Sequence, residues 1–118
     1  MMHEMSLNPE PFNEIKEGRK TIEVRIYDEK RRNVKIGDEI VFGRLPDRTE
    51  KIVVKVVGLS VFGSFRDLFS SLEKSKFGHS ESLTLDEQVA LQREHYSEEE
   101  ERQNLVVGIH IRLAPLQQ

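Results

Sequence analysis

No cysteine occurs anywhere in the 118 residues. That excludes a disulfide framework, a thiolate metal site and a cysteine nucleophile. The apolar runs are short. "IVVKVVGLSVF" is the longest of them, it contains a lysine, and nothing approaches the roughly 20 residues a membrane span needs. The opening "MMHEMSLNPEPF" has neither a basic start nor an apolar centre, so it does not read as a signal peptide. A protein without a membrane segment, acting in the cytoplasm, is the expectation. There is no glycine-rich phosphate loop and no nucleophile elbow. The four histidines, His3, His79, His95 and His110, lack metal-ligand spacing, so neither metal nor cofactor is implied. Aromatic residues make up only 7% of the chain and form no RNP-like motif, which argues against base-by-base reading of RNA.

What the chain does have is enough length for one domain, 1–118, with a core that needs no cross-link. Its formal charge is -3, but the charge is unevenly spread. Residues 16–35 hold eight basic and four acidic side chains, whereas the second half is acidic. Salt limits an exposed charge to a reach of about 8–10 Å, so a local basic patch can attract phosphate on an acidic protein. A solvated, mixed-charge face is the alternative reading of the same cluster.

The periodicities predict an α+β domain. "NPEPFNEIKEG" reads as a short helix capped by Asn8, with Phe12 and Ile15 on one face and Gly18 as its stop. "KTIEVRI" reads as a strand with Ile22, Val24 and Ile26 on the core side and Thr21, Glu23 and Arg25 opposite. "YDEKRRN" is a charged loop or strand extension. "VKIGDEIVFGRL" and "EKIVVKVVGLSVF" are two further strands, with a bulge or bend at Gly58. "GSFRDLFSSLEKSKFG" reads as one helix capped by Ser64. Thr84 with Glu87, and Ser97 with Glu100, are capping boxes for two more. "NLVVGIHIRL" is a last strand, with Val107, Ile109 and Ile111 on one face. It must pair back with the early strands, giving a small curved sheet or barrel flanked by helices.

The ordered set "IKEGRKTIEVR", "KIGDEIVF" and "YSEEEERQNLVVGIHI" resembles the ASCH domain family over nearly the whole chain. The pattern Gly18, Lys20, Thr21, Arg25 after a short helix is its most specific part. The resemblance implies a PUA-like β-barrel with helices beside a cleft. It also implies binding of RNA or a nucleoside or nucleotide, modified ones included; DNA is not specifically implied. Some small bacterial members are amidohydrolases that remove the acetyl group from N-acetylated cytidine with a lysine, a threonine nucleophile and a glutamate. The lysine falls on Lys20, the glutamate on Glu81 in "ESLTL", and the threonine position is taken by Glu23. A carboxylate in that role would form a mixed anhydride, a far more reactive species. Binding therefore ranks first and hydrolysis second.

On the residues themselves, Lys20 either contacts a phosphate or carbonyl, or is an exposed lysine at a helix end. Glu23 and Arg25 are either a surface ion pair or a carboxylate orienting a planar fork. In the hydrolytic reading Glu23 is a general base on water, with Lys20 polarising the carbonyl and Glu81 completing the proton traffic. Arg19, Lys30, Arg31, Arg32 and Lys35 surround this strand and are candidates for attracting a nucleic acid backbone. Among Tyr27, Phe62 and Phe65, Tyr27 is the candidate stacking platform, because its polar end tolerates exposure. The oligomeric state is left open.

Overall fold

A helix that ends on a glycine hands the chain directly to a strand, and this junction organises the rest. The computed structural model describes residues 1–115. Helix α1 (Pro9–Lys16) buries Phe12 and Ile15. Gly18 then adopts a φ of 81°, a left-handed conformation open to glycine at no steric penalty. The amides of Arg19 and Lys20 turn back to the carbonyl of Glu14, and strand β2 (Ile22–Ile26) begins at once.

Among the described residues there are four other strands, β1 (Met2–Leu7), β3 (Glu39–Arg44), β4 (Lys51–Phe62) and β5 (Val106–Leu113). They join β2 in one mixed sheet of order β1-β3-β4-β5-β2. Only the β1–β3 pair is parallel; the other pairs are antiparallel. The sheet curls into a half-barrel, and the apolar faces of β1, β3, β4 and β5 line its inside. Met5, Phe12, Ile40, Phe42, Val54 and Ile109 are among that inner core. A second core lies on the other side of β2, where Ile22, Val24 and Ile26 meet Phe65, Leu68, Phe69 and Phe77. Phe65 and Leu68 are fully buried, and truncating such a Phe to Ala costs about 3–5 kcal/mol.

Helices α3 (Phe65–Ser71), α4 (Leu85–Arg93) and α5 (Glu98–Asn104) cover this second core. Ser64 caps α3, and both capping boxes close as the sequence predicts. The strand register skips between Val56 and Gly58, where a bulge is expected.

Four local features differ from the sequence reading. Residues 2–7 form β1, which carries only two buried apolar side chains, Met5 and Leu7; it is a strand because β3 pairs with it. The "YDEKRRN" segment contains a helical turn, α2 (Glu29–Arg32), because the Asp28 carboxylate accepts from the Arg31 amide at 3.1 Å. The helix after Ser64 stops at Ser71. There the Ser70 hydroxyl bonds back to the Arg66 carbonyl, and a 3-10 turn (Lys74–Phe77) swings Phe77 edge-on against Phe69. Asn8 sits at the start of α1 without a side-chain capping bond, and its side chain faces the cleft described next.

Candidate ligand cleft

The half-barrel is open between its two edge strands. Among the described residues β1 pairs only with β3 and β2 only with β5, so their outer edges face each other without a backbone ladder. Arg25 spans the gap, its Nη2 donating to the Ser6 carbonyl at 2.9 Å. Beside this bridge lies a cleft of about 440 Å³. Ser6 and Asn8 form one wall and Lys20, Glu23 and Arg25 the other. Gln92, His95 and Tyr96, from the end of α4 and the loop after it, close the third side.

The alternation of β2 explains why charge reaches this place. Its even-numbered side chains enter the second core, which turns Glu23 and Arg25 toward the open seam. This polar face is buried too: the Glu23 side chain is 7% exposed and that of Arg25 is 13%. Arg25 Nε donates to Glu23 Oε2 at 2.6 Å, and Lys20 Nζ lies 3.4 Å from Glu23 Oε1. Lys20 also reaches the Phe77 carbonyl at 3.4 Å. Burial raises the Glu23 carboxyl pKa, but the charges and hydrogen bonds of Arg25 and Lys20 outweigh it and hold the group below the usual carboxylate range. The same carboxylate raises Arg25 against its own desolvation. The result is a fixed cation–carboxylate–cation row with one net positive charge.

His79 sits close by, packed against Phe69 and Phe77, with Nδ1 3.1 Å from Gln88 Nε2. Burial, followed by the charges of Lys20 and Lys74, lowers its pKa to about 4, so it is neutral near pH 7. Tyr96 stacks on Phe65, with ring centroids 5.9 Å apart. Buried Glu101 holds this corner by accepting from the Phe65 amide at 2.6 Å and from Arg93.

Of the candidates read from sequence, Lys20, Glu23 and Arg25 share this cleft. Thr21 does not line it: its amide donates to the Lys76 carbonyl and its own carbonyl accepts from Ile111, tying β2 into the fold. Arg19 is exposed and paired with Glu17 at 2.6 Å. Tyr27 is no free platform. It packs against the inner core, and the Arg32 guanidinium lies 4.3 Å from its ring centroid. Arg32 also donates to the Asn104 carbonyl. Arg31 pairs with Asp28 and lines an adjoining groove. Glu81 is exposed in the loop before α4 and is not among the cleft-lining residues. Conversely, Asn8, Gln92, His95 and Tyr96 line the cleft, and sequence reasoning gave none of them a ligand-site role: it took Asn8 as a helix cap and His95 only as a histidine without metal spacing. Tyr96 carried a signal, since it opens the "YSEEEERQNLVVGIHI" ending. Among the described residues no cluster of three or more His, Asp or Glu is placed to hold a metal ion, and no helix is long and apolar enough to cross a membrane.

A five-stranded curled half-barrel with flanking helices is the PUA-like fold. Within that class the chain belongs to the ASCH domain family, whose model matches residues 5–115. It is similar to the crystal structure of the hypothetical protein PH0355, at 37% identity over 97% of this chain and 100% of that one, with a TM-score of 0.87. The solution structure of PF0455 from Pyrococcus furiosus is 32% identical, with full coverage of both chains and a TM-score of 0.71. An ASCH domain from Lactobacillus crispatus shares the fold at a TM-score of 0.64 and 14% identity, over 95% of this chain and 79% of that one. No curated protein matches the sequence.

Proposed function

We propose that the cleft binds one nucleoside unit, either free and modified or as part of an RNA. The observation that carries this reading is the convergence of Lys20, Glu23 and Arg25 on one concavity beside Tyr96. Each group suits a different part of such a ligand. The two cations attract carbonyl and phosphate oxygens. Ionised Glu23 is an acceptor only, which suits the amino and ring N–H groups of a base edge. The Tyr96 ring offers a stacking surface, a contact worth about 1–3 kcal/mol per base.

Hydrolysis of an acylated cytidine-type nucleoside has less support. A general base works best with a pKa near the operating pH, and Glu23 is held well away from that by its two cations. Exposed Glu81 would have to move to take part.

The test is titration of the protein with nucleosides, N-acetylcytidine included, and with short RNAs, in parallel with Lys20→Ala. Saturable binding by the native protein and at least about a tenfold loss in the variant are expected, with far-ultraviolet circular dichroism unchanged. Equal affinity in the two proteins would refute the reading. Consumption of N-acetylcytidine that stops in Lys20→Ala would instead favour the hydrolase.

A further inference from the structure

Helix α5 covers an apolar core without an apolar residue of its own. Its sequence is EEEERQN, and the residue it buries is Glu101. A helix in a folded domain is ordinarily held by an apolar stripe. This one is held by a carboxylate. Glu101 Oε2 accepts from the Phe65 amide at 2.6 Å, where α3 begins, and Oε1 pairs with Arg93 at the end of α4. Arg93 in turn donates to the Tyr96 carbonyl at 3.5 Å, and its guanidinium carbon lies 5.9 Å from the Phe65 ring centroid. One charged group thus joins three helices to the Tyr96 wall of the cleft. Within residues 94–104, Tyr96 is the apolar side chain that packs on the second core. Few buried apolar contacts mark a segment that opens by itself, before the rest of the fold does.

The far end of this segment is strained. Leu105 joins α5 to β5 with a φ of 67° and a ψ of -177°. That left-handed conformation is open to glycine and costly for a residue with a Cβ. Three hydrogen bonds impose it. The Leu105 amide donates to the Glu101 carbonyl at 2.9 Å, the Leu105 carbonyl accepts from the Tyr27 amide at 3.0 Å, and the Asn104 carbonyl accepts from Arg32 at 2.8 Å. The leucine side chain is 38% exposed, so its own burial offsets little of the strain.

We propose that residues 94–104 form a hinged lid on the cleft, latched by Glu101 and loaded by the strained backbone at Leu105. Closed, the lid sets His95 and Tyr96 on the third side of the cleft. On opening, Glu101 leaves the Phe65 amide and Arg93, Tyr96 leaves the Phe65 ring, and Leu105 relaxes to an ordinary backbone conformation. Lys20, Glu23 and Arg25 stay in place, because they stand on β2 and the turn before it. The lid's role as a gate rests on the ligand reading of the cleft; the hinge itself does not.

The experiment has two arms. The first is native-state amide hydrogen exchange at several sub-denaturing urea concentrations, on the full chain and on the Leu105→Gly and Glu101→Gln variants. Amides of α5 and of Phe65 should exchange at least about a hundredfold faster than those of Phe42 and Val54 in the central strands, at rates nearly independent of urea. Leu105→Gly relieves the strained closed state and should slow α5 exchange about fivefold, after allowing for the backbone freedom that glycine adds to the open state. Glu101→Gln should speed it at least about tenfold. The hinge is overturned if α5 and the central strands exchange at one rate with one urea dependence. It is equally overturned if Leu105→Gly leaves α5 exchange unchanged or faster, a result that stands even where Glu101→Gln fails to fold.

The second arm is stopped-flow tyrosine fluorescence with cytidine 5′-monophosphate as the probe, since the chain has two tyrosines and no tryptophan. A gate slows association and dissociation by the same factor in Leu105→Gly and leaves Kd within about twofold. A residue that only stabilises the fold leaves both rates as they are, and that result would overturn the gate. If the probe does not bind, the gate falls with the cleft reading, while the exchange arm still decides the hinge.

Discussion

Replacing Glu23 by Gln removes one charge and almost no volume, from a position that is 6% exposed. The carboxylate is the only acid in the row, touched by Arg25 at 2.6 Å and by Lys20 at 3.4 Å. Breaking a buried ion pair costs about 3–5 kcal/mol, because the partner charge is left desolvated and uncompensated. Here two cations are left, but the Gln carbonyl still accepts one hydrogen bond, so about 3 kcal/mol is expected. Unfolding entropy near 2.1 cal/mol/K per residue gives roughly 0.25 kcal/mol/K for a chain of this size. The melting temperature should therefore fall by about 12 °C in scanning calorimetry. Anion binding should move the opposite way. The cleft gains a unit of net positive charge, worth at least about 1 kcal/mol at contact even in water, or roughly fivefold in affinity for a mononucleotide phosphate. A loss of under about 4 °C would mean that Glu23 does not hold the two cations together as the geometry indicates. A thermal loss without any gain in phosphate affinity would separate the ionic row from the ligand site.

Tyr96→Ala should weaken nucleoside binding about five- to hundredfold through loss of the stacking surface, while Tyr96→Phe leaves it within about twofold; isothermal titration checks both. Because the folded-state pKa of His79, about 4, lies below the ordinary 6.5, the unfolded chain takes up that proton first. Stability contributed by this group is complete above pH 6.5 and declines as pH falls toward 4; allowing for partial solvent access, about 1–2 kcal/mol is lost. Urea unfolding of His79→Gln should show a flatter pH dependence between 6.5 and 5, and an identical curve would refute the assignment. Thr84→Ala opens the capping box of α4 and should cost about 1 kcal/mol, seen as a fall of about 4 °C in melting temperature.

Much of the fold was legible because its signals are local. Alternation at Ile22, Val24 and Ile26 identified β2, and the Thr84–Glu87 and Ser97–Glu100 boxes marked two helix starts. Gly18 marked the turn that delivers Lys20. These assignments need only neighbours within a few residues. β1 was not legible, since its strand state depends on a parallel partner more than thirty positions away. α2 was read as loop because four charged residues have no apolar periodicity; an aspartate cap and a single turn suffice for it.

For the candidate site, strand alternation by itself determined that Glu23 and Arg25 share a face and that this face is opposite the apolar one. It had no bearing on what that face meets. The curl of the sheet decided that, by bringing the open edges of β1 and β2 opposite each other and turning an ordinary polar strand face into a buried ionic row. It brought Tyr96 and Gln92 from some seventy residues away to the same hollow, and set Arg48 and Lys51 beside Arg25. It also gave Tyr27 to the inner core and Arg32 to Tyr27, although both stand in the basic stretch. Periodicity sorts side chains by face, and only closure of the barrel selects which distant faces come within a few ångströms, where charge and stacking act.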